Sequence, residues 1–171
     1  KAVPDCRFVI AGRDSSIDQK FRRELKRLVR VLGLEDHFLW LDWLDEVLPL
    51  MAALAAAGET VLLETSGAHD ISQVDPRVHR IMDLKTPGSG ECERNLWSNI
   101  AHLTKRDEVK FVVGSREDYE WSREKMREHN LAARCHAVLF SPIFGRIEPR
   151  EIVEWMLADS RESGLEARFQ L

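Results

Sequence analysis

Cysteine is scarce in this chain of 171 residues: Cys6, Cys92 and Cys135 are odd in number and widely separated, and no two share the short spacing of redox or structural metal sites. The sequence therefore predicts free, partly buried thiols rather than a disulfide framework. Long apolar runs are also missing, since none approaches the roughly 20 residues of a membrane span, and this excludes a transmembrane reading. The opening Lys1-Ala2-Val3-Pro4-Asp5-Cys6 has neither an apolar signal core nor an Arg/Ser-rich leader, so a cytoplasmic protein is expected. No low-complexity tract, linker or internal repeat interrupts the chain. A Walker loop, a Gly-x-Gly-x-x-Gly fingerprint, a His-Glu-x-x-His element and a Ser-His-Asp order are absent as well.

The formal charge of −4 gives no global attraction to nucleic acid. The basic run of Lys20, Arg22, Arg23, Lys26, Arg27 and Arg30 against Glu24 reads as a solvated helix face. Neither nucleic acid nor a membrane is expected as a partner. The length suits one ordinary domain, residues 1–171, able to bury a core without disulfides or metals.

What is present is a rhythm. Short β-branched or apolar runs alternate with stretches of helical period, the pattern of repeated βα units with parallel strands. Strands are expected at 7–11, 38–41, 60–64, 80–85, 109–113, 136–140 and 167–171. Helices are expected with Phe21, Leu25, Leu28 and Leu32 on one face, with Val47, Leu48, Met51 and Leu54 on another, and with Leu96, Ile100 and Leu103 at helical spacing. Two more follow at 117–131 and 149–163. Pro49 requires the second helix to start near it. The expected fold class is α/β: a parallel sheet of about seven strands. An open three-layer sandwich of Rossmann or flavodoxin type is favoured over a partial (βα) barrel.

Parallel sheets of this kind place ligands at the carboxyl ends of their strands. Five loops come into view: Gly12–Ser16, Glu64–Gly67, Lys85–Gly90, Gly114–Ser115 and Ser141–Gly145. The acid pairs Asp42/Asp45 and Glu91/Glu93 lie at helix starts, where carboxylates cap N–H groups and meet the helix dipole. Trp40, Trp43, Trp97, Trp121 and Trp155 fall within expected elements and are assigned to packing.

Two family resemblances rest on these residues. Residues 3–54, with Pro4-Asp5-Cys6-Arg7-Phe8-Val9-Ile10-Ala11-Gly12 and Leu32-Gly33-Leu34-Glu35-Asp36-His37-Phe38-Leu39-Trp40-Leu41, resemble the nucleotide-sugar domain of GT-B glycosyltransferases. That family's Glu-x7-Glu element does not follow in context, because Glu120 and Glu128 match only in spacing, within a charged helix that no Gly-rich approach precedes.

Residues 55–171 resemble the C-terminal half of 7-carboxy-7-deazaguanine synthase, a radical S-adenosylmethionine enzyme of the queuosine pathway. The resemblance rests on Val61-Leu62-Leu63-Glu64-Thr65-Ser66-Gly67, on Asp75-Pro76-Arg77-Val78-His79-Arg80-Ile81-Met82-Asp83-Leu84-Lys85 and on Pro87-Gly88-Ser89-Gly90-Glu91. Glu108-Val109-Lys110-Phe111-Val112 and Val138-Leu139-Phe140-Ser141-Pro142 extend it. It implies that Glu64, Thr65, Ser66, Lys85, Ser89, Ser115 and Ser141 face cofactor or substrate. The family's Cys-x3-Cys-x2-Cys loop, which binds a [4Fe–4S] cluster, does not occur here, and neither His69 nor His79 replaces it.

The sequence reading is accordingly a recombined or engineered scaffold, joined near residues 54–58, with no catalytic residue, metal or Fe–S cluster and no intact parental activity. The half-barrel parentage is compatible with a homodimer. The alternative is a remnant of the synthase that keeps S-adenosylmethionine or purine binding, and a lower alternative is nucleotide-sugar binding near Gly12–Ser16.

Overall fold

A computed structural model describes residues 8–10, 20–40 and 47–171. The chain divides into two compact units, Lys1–Val47 and Leu48–Leu171. Cys6, Gly12–Ser16, Asp42 and Asp45 lie outside the described residues.

In the first unit, β1 (Phe8–Ile10) pairs in parallel with β2 (Phe38–Trp40), and the rings of Phe8 and Phe38 stack at 4.8 Å. Helix α1 (Lys20–Val31) ends as expected near Gly33, whose φ of +64° suits a residue without Cβ. The guanidinium of Arg22 and the ammonium of Lys26 lie over Trp40, 5.7 and 5.3 Å from its ring centre.

Helix α2 (Val47–Ala56) places Pro49 in its first turn, where the missing N–H costs no helical bond, and it buries Met51 and Ala55. Its alanine run is ordinary helix-forming sequence packed on a core. Then follow β3 (Leu62–Ser66), β4 (His79–Leu84), β5 (Glu108–Val113), α3 (Arg116–Glu128), α4 (Leu131–Arg134), β6 (Ala137–Pro142), α5 (Pro149–Ser163) and β7 (Arg168–Phe169). The last helix follows its sequence signals: Glu148 and Glu151 form a capping box, Pro149 opens the first turn, and Gly164 at φ +67° closes the last.

The sheet corrects two expectations. Seven strands do not join it: five do, all parallel, and the β1–β2 ladder is separate. Their order, β3-β4-β5-β6-β7, is sequential and has no reversal point, so it is not the doubly wound Rossmann or flavodoxin arrangement. Periodicity reports where strands are and leaves their pairing open, which is why the expected order differs from the observed one.

Right-handed crossovers between successive neighbours put their connections on one face. The packing agrees. Val61 and Leu63 of the first edge, Met82 and Leu84, Val109, Phe111 and Val113, Val138 and Phe140, and Phe169 form one core. Met51, Tyr119, Trp121, Met126, Ile152 and Trp155 from the helices complete it. Fully burying each large apolar side chain contributes about 1.5–3 kcal/mol. Tyr119 donates to Asp159 across α3 and α5 at 2.6 Å, and burial, reinforced by that bond, raises its hydroxyl pKa. The opposite face carries a small second cluster of Ile81, Ala137 and Leu139.

Two helices expected from spacing are also corrected. Leu96, Ile100 and Leu103 lie in and around short 3-10 turns, Cys92–Arg94 and Trp97–His102, because Pro87, Gly88 and Gly90 upstream break the chain into tight turns. The helix expected over 117–131 stops at Glu128. Asn130 there takes φ +51°, and α4 begins afresh.

Candidate functional site

Strand alternation divides the candidate residues between the two faces of the sheet. In β3, Thr65 pairs with Met82 and so belongs to the helix-covered face, whereas Glu64 and Ser66 belong to the other. Ser66 stands beside Asp83, which in turn stands beside Lys110. Lys85 follows β4 with the same parity, and Ser141 sits beside Val112 on that face. Six polar side chains, Glu64, Ser66, Asp83, Lys85, Lys110 and Ser141, thus share the open face toward the carboxyl ends of four adjacent strands.

Their charges alternate. Lys85 Nζ lies 2.9 Å from Asp83 Oδ2, and Lys110 Nζ lies 3.5 Å from Glu64 Oε2. The Ser141 hydroxyl donates to the Gln170 carbonyl at 2.9 Å, and Ser66 Oγ accepts from Ala68 N–H at 3.3 Å. Two acceptors are left over: Asp83 Oδ1 and Gln170 Oε1 are buried and find no donor among the described residues. A buried acceptor without a donor costs about 1–3 kcal/mol, and a ligand's N–H or O–H would relieve that cost.

Two expected hydroxyls are committed elsewhere. Ser89 Oγ donates to the Thr86 carbonyl at 2.6 Å, inside the 3-10 turn Pro87–Ser89. Ser115 caps α3, accepting from Asp118 N–H at 3.2 Å. Glu91 pairs with exposed Arg94, while Glu120 and Glu128 pair with Arg116 and Lys125 along α3.

Sequence reasoning missed the residues that hold the loops. Asp118 is only 1% exposed, and it accepts from Gly88 N–H at 2.7 Å and Gly114 N–H at 3.1 Å, tying the loop after β4 to the loop after β5. A Cβ on Gly88 would come within 2.5 Å of the Asp118 carboxylate, so a side chain cannot enter there without displacing it. Buried Asn95 bridges the N–H and carbonyl of Lys85, both at 2.9 Å. Asn99 binds Ile71 N–H and the carbonyls of Gly67 and His69. Ser115-Arg116-Glu117-Asp118 is a visible capping signature and could have pointed to Asp118. Strand alternation puts Asp83 and Lys110 on the open face of their own strands, and only the pairing of β4 with β5 brings them together.

The two described thiols do not gather. Cys92 follows the carboxyl end of β4, and desolvation, followed by nearby Glu93, raises its pKa. Cys135 precedes the amino end of β6, where burial raises its pKa and its thiol donates to the Leu131 carbonyl. Among the described residues no three His, Cys, Asp or Glu side chains are grouped to hold a metal ion. No helix among them is long and apolar enough to cross a membrane. A shallow cavity with His136, Glu166 and Arg168 on its wall lies at the amino ends of β6 and β7, away from the polar face.

The C-terminal part of the chain is similar to several proteins named 7-carboxy-7-deazaguanine synthase. That of Chlorobaculum tepidum is 41% identical over 125 residues, covering 71% of this chain and 54% of that protein. That of Koribacter versatilis is 37% identical over 126 residues, covering 67% and 56%. That of Methanospirillum hungatei is 34% identical over 128 residues, covering 74% and 50%. The chain thus spans about half the length of the curated relatives it matches. No family model and no solved structure matches it.

These similarities bear out the resemblance of the C-terminal part. They give no support to a glycosyltransferase piece at residues 3–54, to a recombined chain or to an engineered scaffold without activity.

Proposed function

We propose that the five-stranded unit is the ligand-holding half of a domain like those of the 7-carboxy-7-deazaguanine synthases, with its polar open face binding S-adenosylmethionine or a purine-like substrate. The observation that carries this reading is the buried Asp83 Oδ1, without a donor among the described residues, within the alternating set Glu64, Lys110, Asp83 and Lys85. A zwitterionic or hydroxyl-bearing ligand complements that set. Its carboxylate would pair with Lys85 or Lys110, and its ammonium or ribose hydroxyl would donate to Asp83. Of the residues that the family resemblance implies, Glu64, Ser66, Lys85 and Ser141 fit this role. Thr65, Ser89 and Ser115 support the walls.

S-adenosylmethionine would bring an adenosyl group and an amino-acid head to this face. The radical chemistry of the enzymes that the chain resembles needs thiolates gathered on one loop. Cys92 and Cys135 belong to opposite ends of the sheet, so the described thiols do not fit a cluster. The chain's own residues bind and orient.

Calorimetry with S-adenosylmethionine tests the reading. Binding with a Kd of roughly micromolar order is expected. Lys85→Ala should weaken it about tenfold or more, the effect of removing a hydrogen bond to a charged group. The absence of heat at millimolar ligand would overturn the reading.

A further inference from the structure

Helix α1 carries six of the chain's 25 lysines and arginines against one of its 29 acids, Glu24. The helix is therefore net +5, in a chain whose remaining residues sum to −9. Its apolar residues are just as sharply sorted. At about 3.6 residues per turn, Phe21, Leu25, Leu28, Val29, Val31 and Leu32 fall on one half of the helical wheel, with Glu24 alone among them, and the six cations fall on the other half. Leu32 N–H still bonds the Leu28 carbonyl at 3.0 Å, so the stripe continues past the last residue of the helix.

The β1–β2 ladder meets only one margin of that stripe. Val29 is buried, and Arg22 and Lys26, in line with it at helical spacing, lie over Trp40. Away from that line the apolar half is open: Leu28 is 51%, Val31 73% and Leu32 58% exposed. Scattered exposed leucines are ordinary, but a continuous exposed stripe flanked by cations marks an interaction surface.

The cations decide what covers it. Lys20, Arg23, Arg27 and Arg30 are all exposed, and their long side chains can lie along the helix while their charged ends reach a plane beside the stripe. A nucleic acid would engage these cations and leave the leucines in water. An anionic bilayer surface takes both at once, the stripe in the acyl boundary and the cations among the headgroups. The expectation of no membrane partner rests on net charge and on the lack of a spanning run, and neither describes a short helix that lies flat.

We propose that α1 is a docking element for anionic lipid surfaces, lying in the interface plane with Leu28, Val31 and Leu32 inserted and Lys20, Arg23, Arg27 and Arg30 at the headgroup charges. The acidity of the rest of the chain keeps this attachment local and reversible.

The test is cosedimentation of the full chain with vesicles of phosphatidylcholine alone and of phosphatidylcholine mixed with phosphatidylserine. Binding is expected to the mixed vesicles only, and it should weaken about tenfold or more between low and high salt. Leu28→Ser combined with Leu32→Ser should lower partitioning about tenfold or more, and so should Arg23→Gln combined with Arg27→Gln. Val31→Ser, at the most exposed of the three apolar positions, should leave the melting temperature unchanged and still lower partitioning about threefold or more. If the mixed vesicles are not bound at low salt, the inference falls. If the serine variants bind them as well as the unsubstituted chain does, the attraction is ionic only and the inference falls. If polyglutamate is bound and loses as much affinity in the serine variants as the vesicles do, the stripe serves an acidic protein segment instead. If the serine variants abolish self-association in the ultracentrifuge and leave vesicle binding intact, it serves a second copy of the chain. Either of the last two results also overturns the inference.

Discussion

The two ends of the sheet each bury a carboxylate, and they use it differently. At the amino end Asp107, fully buried, meets Arg80 Nη1 at 3.1 Å and also accepts from Arg80 N–H, Thr104 N–H and the Thr104 hydroxyl. Arg80 also donates to the carbonyls of His102 and Val74. That end is a buried ion pair in which Arg80 Nε alone lacks a partner among the described residues. At the carboxyl end Asp118 holds the backbone amides of two loops, while Asp83, Lys85, Glu64 and Lys110 lie on the open face with an acceptor to spare. One end is built to be shut and the other to be shaped. In parallel βα architectures the carboxyl end is where ligands bind, and this molecule divides its polar residues accordingly.

Breaking the closed end should produce the largest effect. Asp107→Ala leaves a buried guanidinium without its partner, and a loss of about 3–5 kcal/mol in unfolding free energy is expected by chemical denaturation. Ligand affinity of the folded fraction should not change. A comparable drop in affinity would erase the distinction between the ends.

A substitution at the loop holder should hit both properties. Asp118→Ala strands the amides of Gly88 and Gly114, with an expected cost of about 2–3 kcal/mol, and it releases the loops that flank the polar face, so affinity should fall as well. Denaturation and calorimetry on the same preparation give both numbers, and unchanged affinity would make Asp118 a stability residue only.

The smallest change in stability, and the sharpest test of the contrast, is Lys110→Met. Its pair with Glu64 is long, and Glu64 is largely exposed, so stability should move by no more than about 1 kcal/mol. Affinity for a carboxylate-bearing ligand should nevertheless drop about tenfold. A Lys110 variant that melts early and binds normally would reverse the assignment.

Much of this division was legible from residues alone. The strands appear within two residues of their expected starts, because Val109-Lys110-Phe111-Val112-Val113 and its counterparts are unmistakably β-forming. Glu64, Ser66, Lys85 and Ser141 were expected at strand ends and do share a face. Ser89 and Ser115 were expected for the same reason, but a hydroxyl in a tight turn or at a helix start bonds first to its own backbone. Asp83 and Lys110 lie inside strands, where a charged residue reads as a solvent-facing position until the neighbouring strand is known. Asp118 acts through a contact thirty residues away in sequence, with Gly88, which no local pattern carries. The scaffold reading finds no support, and it gave an alanine-rich helix, ordinary sequence for a packed helix, the weight of a junction.

The sequential strand order also bears on how the unit assembles. Leu62 pairs with His79, Ile81 with Glu108, Glu108 with Ala137 and Leu139 with Arg168, so every ladder partner lies fewer than thirty residues along the chain. Loop-closure entropy grows only slowly with length, and no strand must wait for a distant segment to insert beside it. The sheet can therefore grow by accretion, each βα unit docking on the one just formed, until β3 and β7 remain as its two edges.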